Sequence, residues 1–353
     1  MLRGMRFKAS RHDNTGKCTM PARSNSVARL VSPRRLVLTC DALSEDLPPD
    51  FVRIKIEFCG VCGTDRSFYL GHRDEGYPIS LGHEHCGTIV AVGDQVTPYQ
   101  VGDFVAIDPN FRCGSCHYCR IGAGHLCESA TINRYSNRGY ANFIDIKASY
   151  VLKLPEYRSR HLGALVEPLS VAINAADISK CTLADEATLV LGTGGIGTLL
   201  VFNLLEAQGG EIWIYDKAHS KMAALKDLYP SRIKILDSAD DRVFSVVFEA
   251  TGSSDGFLHG CARLAKLGRL IVVSRYHSDE PAIPDRLPWK QPNIYFVHLN
   301  GHGDSFVRAA ALMKRSWGPD HDHLLSFHPL SNIDKVFTEY EAIPTNKKII
   351  SME

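Results

Sequence analysis

The sequence has almost no excess charge: forty lysines and arginines stand against thirty-nine aspartates and glutamates in 353 residues. A formal charge of +1 supplies no field to draw the chain onto nucleic acid or an anionic membrane. A long unbroken apolar run is also missing. The longest apolar stretch, Thr188 to Leu205, is interrupted by Gly192, Gly194, Gly195 and Gly197, so it does not read as a membrane span. No Asn-x-Ser/Thr acceptor occurs, and the cysteine count, eleven, is odd. Disulfide frameworks belong mainly to small secreted domains that lack an adequate core, whereas a chain of this length predicts two cores. The expected setting is a reducing cytoplasm. What is present, 44% hydrophobic and 22% charged residues, is the composition of a globular protein.

The first nineteen residues carry five basic side chains and one acid, with no apolar core behind them, which argues against a secretory signal. Residues 1–26 are expected to form a flexible extension, with a transit peptide as the alternative and Met20 as a second start. From Val27 to Lys153 the pattern is short β-runs broken by Gly, Pro and Asp, among them Val52–Phe58, Gly87–Val92, Phe104–Ile107 and Tyr140–Ile146. Regular short strands with turn signals predict a mostly antiparallel, barrel-like domain. Near Pro168 the pattern changes. Strands are expected at Thr188–Leu191, Glu211–Tyr215, Arg232–Ile235, Ser245–Phe248 and Arg269–Val273. Helices are expected at Ile196–Ala207, Ser220–Leu228 and Phe257–Ala265. That alternation predicts right-handed βαβ units on a parallel sheet. The tail, with helices at Phe306–Arg315 and Ile333–Ala342 and a strand at Lys348–Ser351, has no core of its own. It is expected to return to the first domain.

Leu191-Gly192-Thr193-Gly194-Gly195-Ile196-Gly197 fits G-x-G-x-x-G only loosely, yet it follows an apolar strand and opens a helix, the context that a dinucleotide fingerprint requires. Its glycines permit a tight turn, the approach of a pyrophosphate and close packing of helix on strand. Asp216, after the next strand, is placed to accept ribose hydroxyls of NAD and to repel the extra phosphate of NADP. Lys217 and Lys221 soften that repulsion. The expected cofactor-binding set is Gly192, Gly194, Gly195, Ile196, Gly197, Asp216, Thr251 and Ser274.

Two groups of metal ligands stand out. Cys113, Cys116 and Cys119, with Cys127 eight residues on, can close a tetrahedral thiolate shell around a structural zinc. A ferredoxin-type iron–sulfur cluster begins with the same spacing, but its fourth cysteine follows after three residues with a proline behind it. The second group is dispersed: Cys62 with Thr64 and Asp65, then His83-Glu84, then Glu167-Pro168. Any one of these is ordinarily a buried core side chain. Together they could leave an open metal position, as catalytic zinc demands.

From about Val27 onward the chain resembles the zinc-containing medium-chain dehydrogenase/reductase superfamily. The resemblance implies a GroES-like β-barrel catalytic domain over 27–168 and 304–353, with a structural zinc lobe at about 110–128, and a Rossmann NAD-binding domain over 169–303. It implies catalytic zinc ligands at Cys62, His83 and Glu167 with Glu84 alongside, and a structural zinc at Cys113, Cys116, Cys119 and Cys127, two Zn²⁺ per chain. Typical alcohol dehydrogenases carry cysteine where this chain has Glu167. The Glu-Pro-Leu-Ser-Val stretch is similar to the sorbitol and threonine dehydrogenase branch, and some aminocyclitol dehydrogenases share it. One of the two glutamates is expected to bind metal only part of the time or through water.

The activity so implied is NAD-linked oxidation of a secondary hydroxyl on a polyol, aminocyclitol or hydroxy amino acid. Thr64 would take the first proton, and Asp65 would stand behind His83 to fix its tautomer. Where the family continues its relay through a histidine, this chain has Ser67, and His72 nearby reads as an ordinary loop residue. NADP is the weaker cofactor expectation. A small-molecule substrate and a homo-oligomer, dimer or tetramer, complete the reading. The rivals are a zinc-independent quinone or enoyl reductase, which lacks these ligand positions, and a non-enzymatic zinc- and NAD-binding protein. The segment after Arg275, including His277 to Glu280, carries no substrate signature.

Overall fold

The computed structural model describes residues 24–73, 76–130, 138–182, 185–208, 210–276, 281–301 and 304–353. The expected extension up to residue 23, with Met20, and the segment His277 to Glu280 lie outside the described residues.

The first strand, β1 (Ser24–Ser32), begins inside the expected extension and pairs antiparallel with β2 (Arg35–Ala42). Asn25 explains the early start. Its side-chain amide donates to the Phe143 carbonyl at 2.8 Å and accepts from the Phe143 N–H at 2.9 Å, so it pairs as a backbone group would. The centre of the barrel is β3 (Phe51–Gly60), where Val52, Ile54 and Ile56 are buried and Lys55 between them is exposed. That period of two is the amphipathic signature of a strand with one face on a core. After β3 come α1 (Gly63–Tyr69), the short β4 (Ile79–Ser80), β5 (Glu84–Val92) and β6 (Phe104–Ile107). A lobe holding α2 (His117–Arg120) follows, then β7 (Phe143–Lys147) and β8 (Val151–Lys153).

The chain crosses out of the barrel on α3 (Val166–Ser179), a helix that the sequence reading did not anticipate. It is buried along nearly its whole length, and an all-round apolar helix carries no amphipathic period to read. The second domain then runs β9 (Thr188–Leu191), α4 (Gly195–Gln208), β10 (Ile212–Tyr215), α5 (His219–Leu228), β11 (Ile233–Ile235), β12 (Phe244–Glu249), α6 (Ser254–Arg263), β13 (Leu264–Val272) and β14 (Asn293–Phe296). All six strands are parallel, in the order β11-β10-β9-β12-β13-β14. This is the doubly wound dinucleotide-binding arrangement, and its direction of winding reverses between β9 and β12, where such sheets bind ligands. The helix expected at Phe257–Ala265 is α6, which starts three residues earlier and is capped by Ser253, whose hydroxyl accepts from the Gly256 N–H at 3.1 Å.

The tail packs against both sheets. It supplies α7 (Ser305–Ser316), which packs on α3, then β15 (Leu325–Pro329), α8 (Ile333–Thr338) and β16 (Lys347–Ser351). β16 pairs with β3 and completes the sheet β15-β16-β3-β5-β6-β8. One apolar core runs from barrel residues Cys86, Ala106 and Leu154 through α3 and α7 to Val190 and Phe248 of the parallel sheet. The two sheets therefore share one packed core.

Candidate active site

Cys62 stands at the N-terminal boundary of α1, and its backbone N–H donates to the Asp65 carboxylate at 3.1 Å. Asp65 is buried and holds the corner together. It also accepts from the Gly82 N–H at 3.1 Å and the Tyr140 hydroxyl at 2.9 Å, and faces His83 Nδ1 at 3.5 Å. Burial alone would raise the Asp65 carboxyl, but His83 and the two backbone donors hold it below its ordinary value. With Nδ1 turned to Asp65, Nε2 is the atom of His83 left for a metal.

Antiparallel register brings the rest together. Gly60, at the end of β3, lies opposite Glu84, at the start of β5, so Cys62 and His83 meet just beyond the paired ends. A Cβ on Gly60 would lie 2.0 Å from Glu84 Oε2, so only glycine leaves room for that carboxylate. The ligand atoms of Cys62, His83 and Glu84 all lie within 4.8 Å of one another. Such a mixed thiolate, imidazole and carboxylate set fits a metal with one position open to substrate.

Glu167 falls outside that group of three. It sits buried in the first turn of α3, beside His83, Glu84, Lys347 and Asp108, and burial pushes its carboxyl up to about 8. Thr64 is half-buried on the first turn of α1. Ser67 is buried, and its hydroxyl donates to the Gly63 carbonyl at 3.2 Å, so it is tied to its own helix. His72 is exposed beyond the end of α1.

One side chain at this site carried no sequence signal. Lys347, on β16, is buried, and its ammonium forms an ion pair with Glu84 and donates to the Val61 carbonyl at 3.1 Å. Its stem runs on to the second domain, where a Cβ on Gly195 would lie 2.7 Å from Lys347 Cδ. Lys347 thus spans the metal corner and the glycine loop.

In the loop, Gly192 has φ +88°, a conformation that suits glycine, and a Cβ on Gly197 would lie 1.8 Å from the Gly192 carbonyl oxygen. Gly194 has open space where a Cβ would be. A tight turn, a close helix approach and an open middle position are what a pyrophosphate requires. Asp216 Oδ2 accepts from the Thr193 N–H at 2.6 Å and the Thr193 hydroxyl at 3.0 Å, while Oδ1 accepts from the Ala218 N–H at 2.8 Å. Ile196 is half-buried at the start of α4. Asn346, immediately before β16, donates to the Thr193 carbonyl at 2.8 Å and so fastens the loop from the barrel side.

Thr251 and Ser274 share a partner that the sequence reading missed, Glu249, fully buried at the end of β12. It accepts from the Thr251 N–H at 2.7 Å, from the Ser274 hydroxyl, and from the Tyr276 hydroxyl at 2.7 Å. An acid closing an apolar strand in Phe-Ser-Val-Val-Phe-Glu was the signal available for it.

The sulfurs of Cys113, Cys116, Cys119 and Cys127 lie within 4.8 Å of one another, and Cys113 and Cys119 are 4.0 Å apart. Zinc–sulfur bonds of about 2.3 Å in a tetrahedron put sulfurs roughly 3.8 Å apart, so the lobe fits the ion. The Ser115 backbone and hydroxyl, with the Cys116 N–H, pull the Cys113 thiol down to about 6, which favours the thiolate a metal binds. The ten described cysteines are all free, so nothing competes for these four.

A barrel bearing a group of candidate metal ligands, set against a parallel sheet bearing a glycine loop, is the arrangement expected of a two-domain dehydrogenase. Residues 48–156 match the alcohol dehydrogenase GroES-like domain. The chain is 33% identical over 190 residues to D-altritol 5-dehydrogenase of Agrobacterium fabrum, covering 52% of this chain and 56% of that one. It is 29% identical over 265 residues to sorbitol dehydrogenase of Bacillus subtilis, covering 70% and 74%. It shares its fold with the structure of a protein named as a zinc-binding dehydrogenase from Sinorhizobium meliloti, solved with NADP, at TM-score 0.82 and 22% identity over 93% of this chain and 99% of that one. The chain thus carries an alcohol dehydrogenase GroES-like domain and is similar over half or more of its length to polyol dehydrogenases.

Proposed function

We propose that this protein is an NAD-linked dehydrogenase that oxidises a secondary hydroxyl of a polyol-like substrate to a ketone, with zinc at Cys62, His83 and Glu84 and a second, structural zinc at the four-cysteine lobe. The observation that carries the reading is the meeting of Cys62, His83 and Glu84 at one corner, with Lys347 reaching from that corner to Gly195 of the nucleotide loop. When bound, zinc would supply Lewis acidity that favours the alkoxide of a substrate hydroxyl near neutral pH. Asp65 holds His83 in one tautomer, and Lys347 offsets the negative charge of Glu84 and Cys62. Thr64 is the group assigned to receive the hydroxyl proton. Ser67 is removed from that relay by its bond to Gly63, so water carries the proton onward from Thr64. Glu167 is assigned to hold the substrate or a water rather than the metal.

Asp216 supports NAD over NADP, because its carboxylate keeps lone pairs for ribose hydroxyls after serving Thr193 and Ala218. Lys217, the nearest cation in sequence, is turned to Asp255 at 3.2 Å. A homodimer is supported by β14, an edge strand of the parallel sheet that presents exposed Phe296 and Tyr295. Elemental analysis together with NADH production on a polyol panel tests the reading. Wild type should hold two zinc ions per chain and Cys62→Ala one, with activity lost. If Cys62→Ala keeps both ions and full turnover, the assignment is wrong.

A further inference from the structure

Several polar groups around the metal corner are not used by the chemistry above. Asp108 Oδ1 accepts from the Asn110 N–H at 3.0 Å and from Asn300 Nδ2 at 3.2 Å, so one carboxylate holds both asparagines, and it lies beside Glu167. Asn110 is 1% exposed, yet neither its amide nitrogen nor its oxygen has a partner, and the Asn300 side-chain oxygen is also unpaired. Buried amides in folded proteins are ordinarily satisfied, so three orphaned atoms in one place imply a ligand that completes them. The donors and acceptors of an amide match the hydroxyls of a polyol.

Two residues before Asn300, His298 meets Arg275. Arg275 lies on the segment after β13, and its carbonyl oxygen would be 3.2 Å from a Cβ on Gly252. Its guanidinium donates to His298 Nδ1 at 2.9 Å. Arginine can only donate, so Nδ1 of His298 accepts and its proton sits on Nε2, which makes the ring a neutral donor on its far side. No carboxylate pairs with Arg275 among the described residues. Its electrostatic neighbours are Arg73, which stacks on Phe68 at 4.6 Å, and the thiol of Cys62 itself. Burial and the like charge of Arg73 both lower its pKa, against an opposing pull from Cys62. Glu167, Asp108, Asn110 and Asn300 are thus neighbours, and the Arg275–His298 pair, two residues before Asn300, neighbours Cys62.

Resting on the polyol oxidation proposed above, we propose that the substrate carries a terminal anionic group, a carboxylate or a phosphate, which Arg275 and His298 receive while Asn110 and Asn300 bind its hydroxyls. Arg275 presents a planar fork suited to two oxygens of either anion.

The test compares galactitol, galactonate and galactitol 1-phosphate as substrates for the zinc-loaded protein with NAD. An anionic probe should exceed galactitol in kcat/KM by roughly tenfold or more, the size of one charge-assisted hydrogen bond, and the favoured probe identifies carboxylate or phosphate. In Arg275→Met the ratio of anionic to neutral kcat/KM should fall toward one through KM, and Arg275→Lys should retain part of it. Equal use of galactitol by wild type, or an equal loss on all three probes in Arg275→Met, overturns the inference. Calorimetric binding of the same probes in the presence of NAD is read separately. If no probe is oxidised, the proposed function fails, while tighter binding of an anionic probe that is lost in Arg275→Met still supports the anion site, and equal binding of all three refutes it.

Discussion

Replacing Lys347 by methionine keeps the stem that packs against Gly195 and removes only the ammonium. The ammonium is 4% exposed and its partner, the Glu84 carboxylate, 1% exposed, so both charges are out of water and no solvent screening softens the loss. Removing one partner of such a pair leaves an uncompensated buried charge, at a cost of about 3–5 kcal/mol. That figure applies to the protein stripped of metal. With zinc bound, Glu84 still faces a cation, and the cost falls. The two cases are linked: whatever stability Lys347→Met loses in the stripped protein but keeps in the loaded one must reappear as tighter zinc binding at this corner, at roughly tenfold per 1.4 kcal/mol. Urea unfolding of wild type and variant, each with chelator and with zinc, gives the four midpoints needed. The four-cysteine lobe is stripped and refilled in both proteins, so its contribution cancels in the double difference. An equal loss with and without zinc, or no loss in the stripped protein, would refute the ion pair as described.

Gly197→Ala places a methyl 1.8 Å from the Gly192 carbonyl oxygen, so it should cost about 1–3 kcal/mol and weaken NADH binding at least roughly tenfold, read by tryptophan fluorescence. Gly194→Ala meets no protein atom and should weaken NADH binding without lowering stability; a drop in stability would contradict the open loop. Asp322 accepts from Arg158 at 2.6 Å and Trp317 at 3.1 Å, and although burial raises its carboxyl, these donors hold it below the ordinary 3.8. A depressed carboxyl contributes stability above its unfolded value and loses it as pH falls through its folded one, so Asp322→Asn should flatten the acid limb below about pH 4, and an unchanged limb in thermal melts across pH would count against the pairing. Phe296→Glu on the exposed edge of β14 should convert a dimer to monomers in light scattering, whereas an unchanged mass would remove that edge as the interface.

What the sequence could show was whatever short spacing and periodicity encode. The glycine loop, the four cysteines and the alternating β3 each lie within a few neighbouring residues, and their geometry follows from local rules. α3 escaped because a helix buried on all sides has no period to find. The start of β1 escaped because Asn25, a poor strand residue by propensity, is recruited by Phe143 more than a hundred residues away. Cys62, His83 and Glu84 could be listed from the sequence, but their convergence depends on the Gly60–Glu84 register, and Glu167 comes beside them from α3, a helix with no period to read.

The longest-range contacts tie the two domains together. Asn346 and Lys347 are adjacent, and successive residues of an extended chain point to opposite sides. One reaches the Thr193 carbonyl in the nucleotide loop, and the other reaches Glu84 in the metal corner while lying along Gly195. A single dipeptide at the start of the last barrel strand therefore touches both halves of the site. Any shift of the parallel sheet against the barrel must either break the Asn346 bond or slide the Lys347 stem along Gly195, and the latter moves the ammonium relative to Glu84. The nucleotide loop and the metal corner are thus joined by direct contacts through β16.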